Sequence, residues 1–540
     1  MPTTSNTQHP IPNPPRPRWV YIFALLVMVV TTIPYFVGYA AQGTEWRFTG
    51  FVFGVEDGNS YIAKMLGGAT GDWLFRTPYS AVPQRGVIAF LPYLLLGKLT
   101  APPAQHVQLV ALFHLFRFGA GILAIIASYD FIALFVVRRY LRCWGVVLAS
   151  LGGGLGWVLV LLGKASWPAW MPLEYYSPES FGFLAIYGLP HLALSRALLL
   201  WGLRAYLVSE NHWDSVKIGG LWLVMGLAQP LNVVIAWAVI GAHLLFFCLV
   251  QFIQYLRGIE PQWNIWKTFL GRALVVGAIS APIVFYSILT FSTDPVLRAW
   301  KAHSYVISPQ PLMYLLAYGL LIPFGILGAF KLSKQNFFQG WLLIGWILIL
   351  PGLLYAPFNF QRRLAEGVWV ALVVLALKAL ENLPEGSKPK WSWAWVLAFP
   401  STFILLMGGI IVARTPTQPI FRPTAEITAF QHLAQNAAPN AVVLSSQKTG
   451  NPLPAWTPLQ VVIGHGPETI HTEELYPRIQ AFYQVDTLSK ERRVLLDEYQ
   501  VNYVFYGPAE RELGSWNPAQ AEYLTPIYQS GDYTIFSVER

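Results

Sequence analysis

The chain has 540 residues, of which 55% are hydrophobic, 15% aromatic and only 12% charged. Soluble globular proteins carry about 25% charged residues, so an ordinary water-exposed surface is excluded and lipid surroundings are indicated. The two cysteines, Cys143 and Cys248, exclude a disulfide framework and a cysteine-rich metal site. The net charge is +9, but the sequence has no basic block outside the loops, which argues against nucleic acid as a partner. Basic loops on one side of a membrane explain the charge instead.

The amino-terminal residues 1–17 are polar and rich in proline, which predicts a disordered tail. The apolar run from Trp19 to Ala40 follows without a small-residue cleavage site, so we interpret it as a retained helix rather than a signal peptide. A helix needs about 20 mostly apolar residues to cross a bilayer. About eleven candidate spans follow on this criterion within a transmembrane region of residues 18–413. They are 19–40, 108–137, 144–163, 183–207, 218–229, 231–254, 270–291, 310–330, 339–357, 366–380 and 392–413.

The fifth and sixth candidates meet at Gln229 and Pro230, where the chain forms either a tight hairpin or one broken helix. Cytoplasmic loops are enriched in lysine and arginine. With the amino terminus in the cytoplasm and a hairpin at Pro230, every predicted inner loop is basic, whereas a single crossing would move the later basic loops outside. The rule therefore favours the hairpin and a multi-pass protein of the plasma (inner) membrane whose carboxyl terminus is extracytoplasmic. The inner basic residues are Arg16, Arg18, Arg138, Arg139, Arg142, Arg204, Lys217, Arg257, Lys267, Arg272, Lys331, Lys334, Lys378, Lys388 and Lys390.

Two predicted outer segments, 41–107 and 414–540, are much longer than the other loops. Long segments of this kind are usually functional or independently folded. The second segment alternates helical and strand patterns, which predicts a small extracytoplasmic α/β domain at the carboxyl terminus. The predicted helices are 425–437, 468–484 and 488–500, and the predicted strands are 441–446, 460–466, 501–507 and 532–538.

The first outer segment contains two adjacent carboxylates, Glu56 and Asp57, directly before a predicted helix. Asp57 could simply cap that helix, because aspartate is a preferred N-cap residue. Alternatively, a carboxylate held at the membrane surface could take a proton from an acceptor hydroxyl. The pair could also hold Mg²⁺ or Mn²⁺ against a phosphate. Four residues on one face of the helix are typical of a helix in the membrane interface: Tyr61, Ile62, Met65 and Leu66.

A many-span chain with an acidic pair shortly after its first helix, followed by an interfacial helix, resembles the GT-C fold of membrane glycosyltransferases. That group includes protein mannosyltransferases, oligosaccharyltransferases and aminoarabinose transferases. The resemblance covers the topology of residues 1–413, and its motif is mainly Glu56-Asp57. It implies a polyprenyl-phosphate-linked sugar donor and transfer on the extracytoplasmic face. The mannosyltransferases usually have Asp-Glu followed soon by an aromatic residue, so either Glu56 or Asp57 could be the base here, and we favour Asp57.

Arg362 and Arg363 lie at the predicted outer end of the ninth helix, against the positive-inside bias. Arginine binds phosphate with two parallel hydrogen bonds and keeps its charge at any relevant pH. The pair could therefore bind the donor phosphate and stabilise it as a leaving group. Snorkelling toward lipid headgroups would explain the same two residues equally well.

Six further residues are candidate substrate contacts. Two lie on the helix after the acidic pair, two in an aromatic turn that could form the floor of a sugar site, one near the outer end of the fourth helix, and one between glycines in the tail. Membrane anchoring, core packing and a structural turn are the alternative roles. The residues are Tyr61, Lys64, Trp73, Arg76, His191 and His465.

These features predict an inverting glycosyltransferase in which Asp57 activates an acceptor hydroxyl, with help from Glu56 or a metal, and the arginine pair binds the donor phosphate. The partners are the bilayer, the lipid-linked sugar and a glycan, lipid or protein acceptor. The hypothesis requires Asp57 and the arginines to converge in one outer pocket. The alternatives are a transporter or flippase of lipid-linked substrates, indicated by the break at Pro230, and a non-catalytic GT-C relative in polysaccharide assembly.

Overall fold

The computed structural model describes residues 15–103, 105–167, 170–209, 211–335, 338–381 and 392–539. Residues 1–14 of the predicted disordered tail, and Lys388 and Lys390 of a predicted inner loop, lie outside the described residues. The chain forms two compact units. The first comprises Met1–Thr31, Phe116–Ile288 and Tyr305–Met407, and the second comprises Thr32–Leu115, Leu289–Ser304 and Gly408–Arg540.

Helices dominate the described part of the chain up to Arg414. They are α1 (Arg18–Ala41), α2 (Val55–Ala69), α3 (Leu91–Gly97), α4 (Gln105–Phe135), α5 (Arg139–Leu151), α6 (Gly156–Leu161), α7 (Phe183–Gly188), α8 (Pro190–Val208), α9 (His212–Ala228), α10 (Pro230–Leu256), α11 (Trp263–Thr293), α12 (Pro295–His303), α13 (Pro311–Tyr318), α14 (Ile322–Lys334), α15 (Gly340–Leu354), α16 (Val368–Glu381) and α17 (Pro400–Arg414). Short 3-10 helices occur at Leu173–Tyr175, Gln361–Ala365 and Ser392–Ala398.

Five helices in the described residues are long and apolar enough to cross a membrane: α1, α4, α10, α11 and Trp395–Arg414, which contains α17. A sixth crossing results if α13 and α14, which are bent by 78° at their junction, form one broken span. The protein is therefore a multi-pass, mostly helical membrane protein. The count of about eleven spans stays a prediction, because several predicted spans are shorter helices in the structure.

Two predicted spans are divided by residues that oppose a continuous helix. The span 144–163 becomes α5 and α6, because the chain leaves the helix at a glycine run. A Cβ on Gly154 would lie 2.6 Å from the Cα of Ala317, so the backbone passes close to its neighbour here. The span 183–207 becomes α7 and α8, and α8 begins at Pro190, which has no N–H to continue the preceding helix.

The break at Pro230 is a helical hairpin. A Cβ on Gly219 of α9 would lie 2.7 Å from Cβ of Ile279, and Trp237 Nε1 of α10 donates a 3.0 Å hydrogen bond to Ser280 Oγ. Ile279 and Ser280 are neighbours on α11. Gly219 and Trp237 therefore contact the same turn of α11, although Pro230 lies between them in sequence. A continuous helix would hold them about 27 Å apart at 1.5 Å per residue. This geometry confirms the hairpin that the charge bias favours.

The second unit contains a mixed sheet. Its helices are α18 (Thr424–Asn436), α19 (Gln447–Gly450), α20 (Leu453–Trp456), α21 (Thr472–Phe482), α22 (Ser489–Glu498) and α23 (Pro508–Arg511), with a 3-10 helix at Pro518–Gln520. Its strands are β1 (Trp46–Phe48), β2 (Phe421–Pro423), β3 (Val442–Leu444), β4 (Gln460–Val461), β5 (Val501–Tyr506), β6 (Leu524–Ser530) and β7 (Tyr533–Val538). Five strands pair in the order β4-β3-β5-β7-β6.

The sheet has helices packed on both faces. Strand β3 is parallel to β4 and β5, and β7 is antiparallel to β5 and β6. Successive side chains of a strand point to opposite faces. Accordingly Val442 and Leu444 belong to a cluster with α21 and α22, and Val443 belongs to a cluster with α18. Strand β6 was not predicted, because its sequence is polar and interrupted by Pro526, as edge strands tolerate.

Strands β1 and β2 form a separate antiparallel pair that joins the first outer segment to the tail. The unit that holds the sheet thus also contains residues 32–115 and 289–304. A carboxyl-terminal domain bounded at residue 414 therefore stays a prediction.

Helix α2 is packed inside the second unit. Ten of its 15 residues are buried, including polar residues as well as Ile62 and Met65. A helix that lies flat in a membrane interface would expose its polar face to water. Most of the α2 surface therefore lies against protein, and its position at the membrane interface stays a prediction.

Candidate functional site

The acidic pair occupies the first turn of α2. Gly54 is the N-cap residue and adopts a left-handed conformation with φ of 57°, which glycine tolerates without strain. The helix therefore begins at Val55, and Asp57 does not cap it, contrary to one interpretation of the sequence. Glu56 and Asp57 are both exposed, and their charges are favourable near the helix amino terminus.

Asp57 contacts a histidine of the tail. Its Oδ1 lies 3.2 Å from Nε2 of His465. The Asp57 side chain is 58% exposed, whereas the His465 side chain is 8% exposed. The first-loop carboxylate and the tail histidine, which are 408 residues apart in sequence, therefore form one polar cluster in which the histidine is the buried member.

Behind His465 lies a buried ion pair between the same two segments. Lys64 Nζ is 2.6 Å from Glu468 Oε1, and each side chain is 1% exposed. Ser60 Oγ donates to Glu468 Oε1 at 2.5 Å, and Thr77 Oγ1 donates to Glu468 Oε2 at 2.7 Å. His465 Nδ1 lies 3.4 Å from Glu468 Oε1. Both oxygens of the buried carboxylate are therefore satisfied, as the cost of burying a charge requires.

Aromatic rings surround the ammonium group of Lys64. Its Nζ lies 4.5 Å from the ring centre of Phe90, 5.4 Å from Phe75, 5.8 Å from Tyr61 and 5.9 Å from Trp300. Rings at these distances attract a cation electrostatically. Lys64 is thus an internal partner of Glu468, and its role as a substrate contact stays a prediction.

The cluster perturbs two ionisable groups. Burial alone raises the pKa of Glu468, but the charges of Lys64 and His465 and the hydrogen bonds from Lys64 and Ser60 outweigh it, so the pKa lies below its ordinary value. Burial, together with the negative charges of Glu468, Asp57 and Glu56, raises the pKa of Tyr79 well above its ordinary value. Glu468 is therefore ionised and Tyr79 neutral in the physiological range.

Asn451 of the tail also contacts the start of α2. Asn59 Nδ2 donates to Asn451 Oδ1 at 2.8 Å, and Asn451 Nδ2 donates to the carbonyl of Glu56 at 3.4 Å. The hydroxyl of Tyr79 donates to the Asn451 carbonyl at 2.9 Å. The helix turn that carries the acidic pair therefore contacts both Asn451 and His465 of the tail.

The other first-loop candidates lie at different depths. Tyr61 is half-buried and stacks on Tyr93, with ring centres 4.7 Å apart and planes 11° apart. Trp73 is 66% exposed, and Lys98 Nζ lies 4.1 Å above its ring. Arg76 is exposed and pairs with Asp72 at 3.3 Å. Trp73 offers an open aromatic face, while Arg76 already has a carboxylate partner.

Arg362 and Arg363 belong to the first unit, on the 3-10 helix Gln361–Ala365. The guanidinium carbon of Arg362 lies 4.4 Å from the ring centre of Tyr176, and its Nε has no hydrogen-bond partner among the described residues. Arg363 is 45% exposed, and its Nε lies 3.9 Å from Glu179 Oε1. The two arginines therefore differ, because a carboxylate is close to only one of them.

A second buried ion pair, Arg196 with Glu366, lies in the same unit. Arg196 also donates to the carbonyls of Phe181 at 2.9 Å and Pro178 at 2.7 Å. Glu366 Oε2 has no hydrogen-bond partner in the described part of the chain. His191 lies in the first turn of α8 and is half-buried.

Sequence reasoning did not single out Glu468, Arg196 or Glu366. The available signal was charge at positions that should be apolar: Arg196 lies inside an apolar span, and Glu366 directly follows the arginine pair. Intramembrane charges of this kind are expected to be paired. Glu468 lies three residues after His465, but nothing in the sequence indicates Lys64 as its partner.

The described residues do not offer a metal site. No group of three or more histidine, cysteine, aspartate or glutamate side chains there could hold an ion. Glu56 and Asp57 are two carboxylates, one of which is engaged with His465. Mg²⁺ would then need most of its six ligands from water or a substrate phosphate. The side chains present do not fit a resident metal.

The polytopic helical fold is similar to that of solved membrane glycosyltransferases of the GT-C type. The oligosaccharyltransferase AglB of Archaeoglobus fulgidus, solved with a tethered acceptor peptide that contains the NVT sequon, is 14% identical with a TM-score of 0.53, and the match covers 97% of this chain and 74% of that one. The same enzyme with an inhibitory peptide and a dolichol-phosphate gives a TM-score of 0.50 at 12% identity, over 97% and 74% of the two chains.

The arabinofuranosyltransferase AftD from Mycobacteria is 13% identical with a TM-score of 0.53, and the match covers 97% of this chain and 40% of that one. No family profile matches the chain, and no curated protein sequence matches it. At these identities the likeness establishes the fold. This protein has the GT-C fold of membrane glycosyltransferases.

Proposed function

We propose that this protein is an inverting glycosyltransferase that moves a sugar from a polyprenyl-phosphate-linked donor to an acceptor hydroxyl on the extracytoplasmic face. Asp57 is the general base that takes the proton of the acceptor hydroxyl, and Glu56 adds negative charge beside it. The acceptor oxygen attacks the anomeric carbon, the bond from that carbon to the donor phosphate breaks, and the lipid phosphate leaves with the electron pair. The protein lies in the plasma (inner) membrane with its amino terminus in the cytoplasm.

The observation that carries the proposal is the Asp57 carboxylate, exposed at the start of α2 and in contact with buried His465. A general base must be reachable by the hydroxyl and must be held in a defined orientation. Glu56 is also exposed, but its side chain shows no such contact with the buried cluster in the described structure. This difference favours Asp57 over Glu56 as the base.

On the donor side, Arg362 and Arg363 bind the phosphate in this proposal, and Trp73 offers an aromatic face to a sugar. The Arg362 Nε is buried and has no hydrogen-bond partner among the described residues, and a charge-assisted hydrogen bond to a phosphate would satisfy it. The likeness to AglB, which was solved with a dolichol-phosphate, agrees with a lipid-linked donor. Asp57 belongs to one compact unit and the arginines to the other, so their convergence in one pocket stays a prediction.

The transporter alternative has lost its main support. It was based on the break at Pro230, which the structure shows to be a hairpin between two helices. Transporters of this type have matching interruptions in two halves of the chain. The bend between α13 and α14 is the one such bent pair among the described helices.

The test is sugar transfer by purified protein in lipid nanodiscs supplied with a panel of radiolabelled polyprenyl phosphate sugars. Asp57→Asn keeps the shape of the side chain but removes its basicity, and we expect a loss of about 100-fold to 10,000-fold in kcat. Asp72→Asn, which changes an exposed aspartate of the same loop, is the matched control and should retain activity. Unchanged transfer by Asp57→Asn would remove Asp57 from the mechanism, and an effect of Glu56→Gln instead would make Glu56 the base.

A further inference from the structure

The contact between Asp57 and His465 joins an exposed group to a buried one. Asp57 lies on α2, and His465 lies on the tail segment Gly464–Thr469, between β4 and α21. An exposed aspartate samples several rotamers unless a neighbour holds it. A hydrogen bond from a fixed imidazole N–H to Oδ1 restricts that sampling and orients the carboxylate.

His465 is itself held by its own backbone turn. Its carbonyl accepts hydrogen bonds from the N–H groups of Glu468 at 3.0 Å and Thr469 at 2.8 Å. The hydroxyl of Thr469 accepts from the N–H of Gly464 at 3.1 Å. A Cβ on Gly464 would lie 2.7 Å from Cδ1 of Tyr79, so glycine is required for this close approach. The segment is thus pressed against the first loop by its backbone, independently of the histidine side chain.

The ring of His465 is also fixed by its neighbours. Its centre lies 5.6 Å from that of Tyr79, and Nδ1 faces Glu468 Oε1 at 3.4 Å. Glu468 cannot move easily, because Lys64 and Thr77 bind its two oxygens. Every partner of the imidazole except Asp57 is therefore buried and anchored.

Carboxylate oxygens face both nitrogens of the ring. Nε2 makes the hydrogen bond to Asp57, whereas Nδ1 has no hydrogen-bond partner among the described residues and lies 3.4 Å from Glu468 Oε1. The charged groups around the ring are Asp57 and Glu56 at the start of α2, Lys64 farther along α2, and Glu468 on the tail. His465 thus lies between the exposed Asp57 and the buried pair of Glu468 and Lys64.

We infer that His465 is a positioning residue for Asp57: it donates from Nε2 to Oδ1, is itself held by its backbone turn and by the ring of Tyr79, and thereby orients the carboxylate toward the acceptor hydroxyl. This inference rests on the proposed function of Asp57 as the base. It makes the tail segment Gly464–Thr469 a part of the site, with His465 acting through Asp57 and touching no substrate. His465 then affects the rate of the chemical step and leaves substrate affinity largely unchanged.

The experiment compares His465→Leu, His465→Gln, Asp57→Glu and the double variant Asp57→Glu/His465→Leu by kcat and KM for the lipid-linked sugar. A hydrogen bond to a charged group contributes enough that we expect kcat of His465→Leu to fall about tenfold to 100-fold, with KM within about twofold. His465→Gln, which keeps an N–H donor, should recover part of the loss. His432→Leu, which changes a tail histidine that stacks on Tyr528, is the control.

The double variant separates positioning from a general structural effect. Because Asp57→Glu already displaces the carboxylate, His465→Leu should slow this variant by less than it slows the wild type. An equal slowing in both backgrounds, an unchanged kcat in His465→Leu, or a rise in KM alone would overturn the inference, the last result indicating a direct substrate contact.

Two further measurements keep the outcomes distinct. Thermal unfolding of the wild type, Asp57→Ala, His465→Leu and their double variant measures the contact without any activity, and non-additive changes in Tm are expected because the two side chains touch. Additive changes would show that the contact does not exist in solution and would overturn the inference.

If the wild type transfers no sugar from any donor, the proposed function fails; if it transfers sugar and His465→Leu is fully active, the inference alone fails.

Discussion

Each compact unit places an exposed candidate group near a buried ion pair, but the two pairs are satisfied differently. In the second unit, the buried Glu468 carboxylate contacts Lys64, Ser60, Thr77 and His465. In the first unit, Arg196 is the ionic partner of Glu366, whose second oxygen has no hydrogen-bond partner among the described residues. A buried carboxylate with several donors can lose one of them, whereas a carboxylate with one cation cannot.

The exposed groups differ in a similar way. Asp57 is oriented by a direct 3.2 Å contact with a buried ring. Arg363 lies 3.9 Å from Glu179, and Arg362 lies over the ring of Tyr176, so neither has a short charged hydrogen bond to another side chain. Under the proposed function, the base is oriented before substrate arrives, whereas the arginines keep donors for a ligand.

The largest expected effect is on stability. Arg196→Met leaves Glu366 without its cation, and we expect the free energy of unfolding to fall by about 5 kcal/mol. Lys64→Met leaves Glu468 with the hydroxyl donors of Ser60 and Thr77, and we expect a fall of about 3 kcal/mol. Thermal unfolding in detergent would measure both, with Arg196→Met giving the lower Tm.

The control for this comparison removes both charges of a pair. Arg196→Met/Glu366→Leu should recover much of the lost Tm, because an apolar pair of similar volume can replace a buried ion pair. A Lys64→Met protein less stable than Arg196→Met would contradict the contrast between the two carboxylates.

The next effect concerns the donor phosphate. Arg362→Gln should raise KM for the lipid-linked donor about tenfold to 100-fold, because a hydrogen bond between charged groups is lost. Arg363→Gln should have a smaller effect, since the Glu179 carboxylate already offsets the charge of Arg363. Arg257→Gln, at an exposed arginine that follows α10 on the predicted inner side, is the matched control. Equal KM values for all three variants would exclude the pair from donor binding.

The smallest expected effect follows metal removal. Because the described side chains provide no group of three metal-binding residues, activity in excess EDTA should stay within about twofold of the untreated protein. The same transfer assay measures this. Loss of activity that Mn²⁺ or Mg²⁺ restores would instead assign Glu56 and Asp57 to a cation bound together with the donor phosphate.

Hydrophobic patterning predicted much of the fold because it is a local property. The candidate spans 19–40 and 231–254 correspond to α1 and α10, and most tail elements lie within a few residues of their predicted positions. The predicted strand 460–466 shortened to β4, and β6 was missed, because pairing with a neighbour rather than apolar content defines an edge strand.

The candidate site was predicted less completely. Asp57 and His465 were each recognised from local sequence, as an acidic residue before a helix and a histidine between glycines. Their contact was not, because 408 residues separate them and no sequence pattern links a first-loop aspartate to a tail histidine. The burial of Lys64 was not predicted either, because its partner Glu468 lies 404 residues away in sequence.

The sequence by itself determined that this is a membrane protein with an acidic pair in its first long loop, and its charge pattern favoured a hairpin at Pro230. These features depend on the composition and spacing of neighbouring residues, because an apolar segment of sufficient length enters the bilayer without help from distant parts of the chain. Only the tertiary structure decided that α2 is packed in protein, that Lys64 pairs with Glu468 and that His465 contacts Asp57. Such contacts depend on chain segments that meet only when the second unit folds, and their energy comes from burial that no single segment achieves alone.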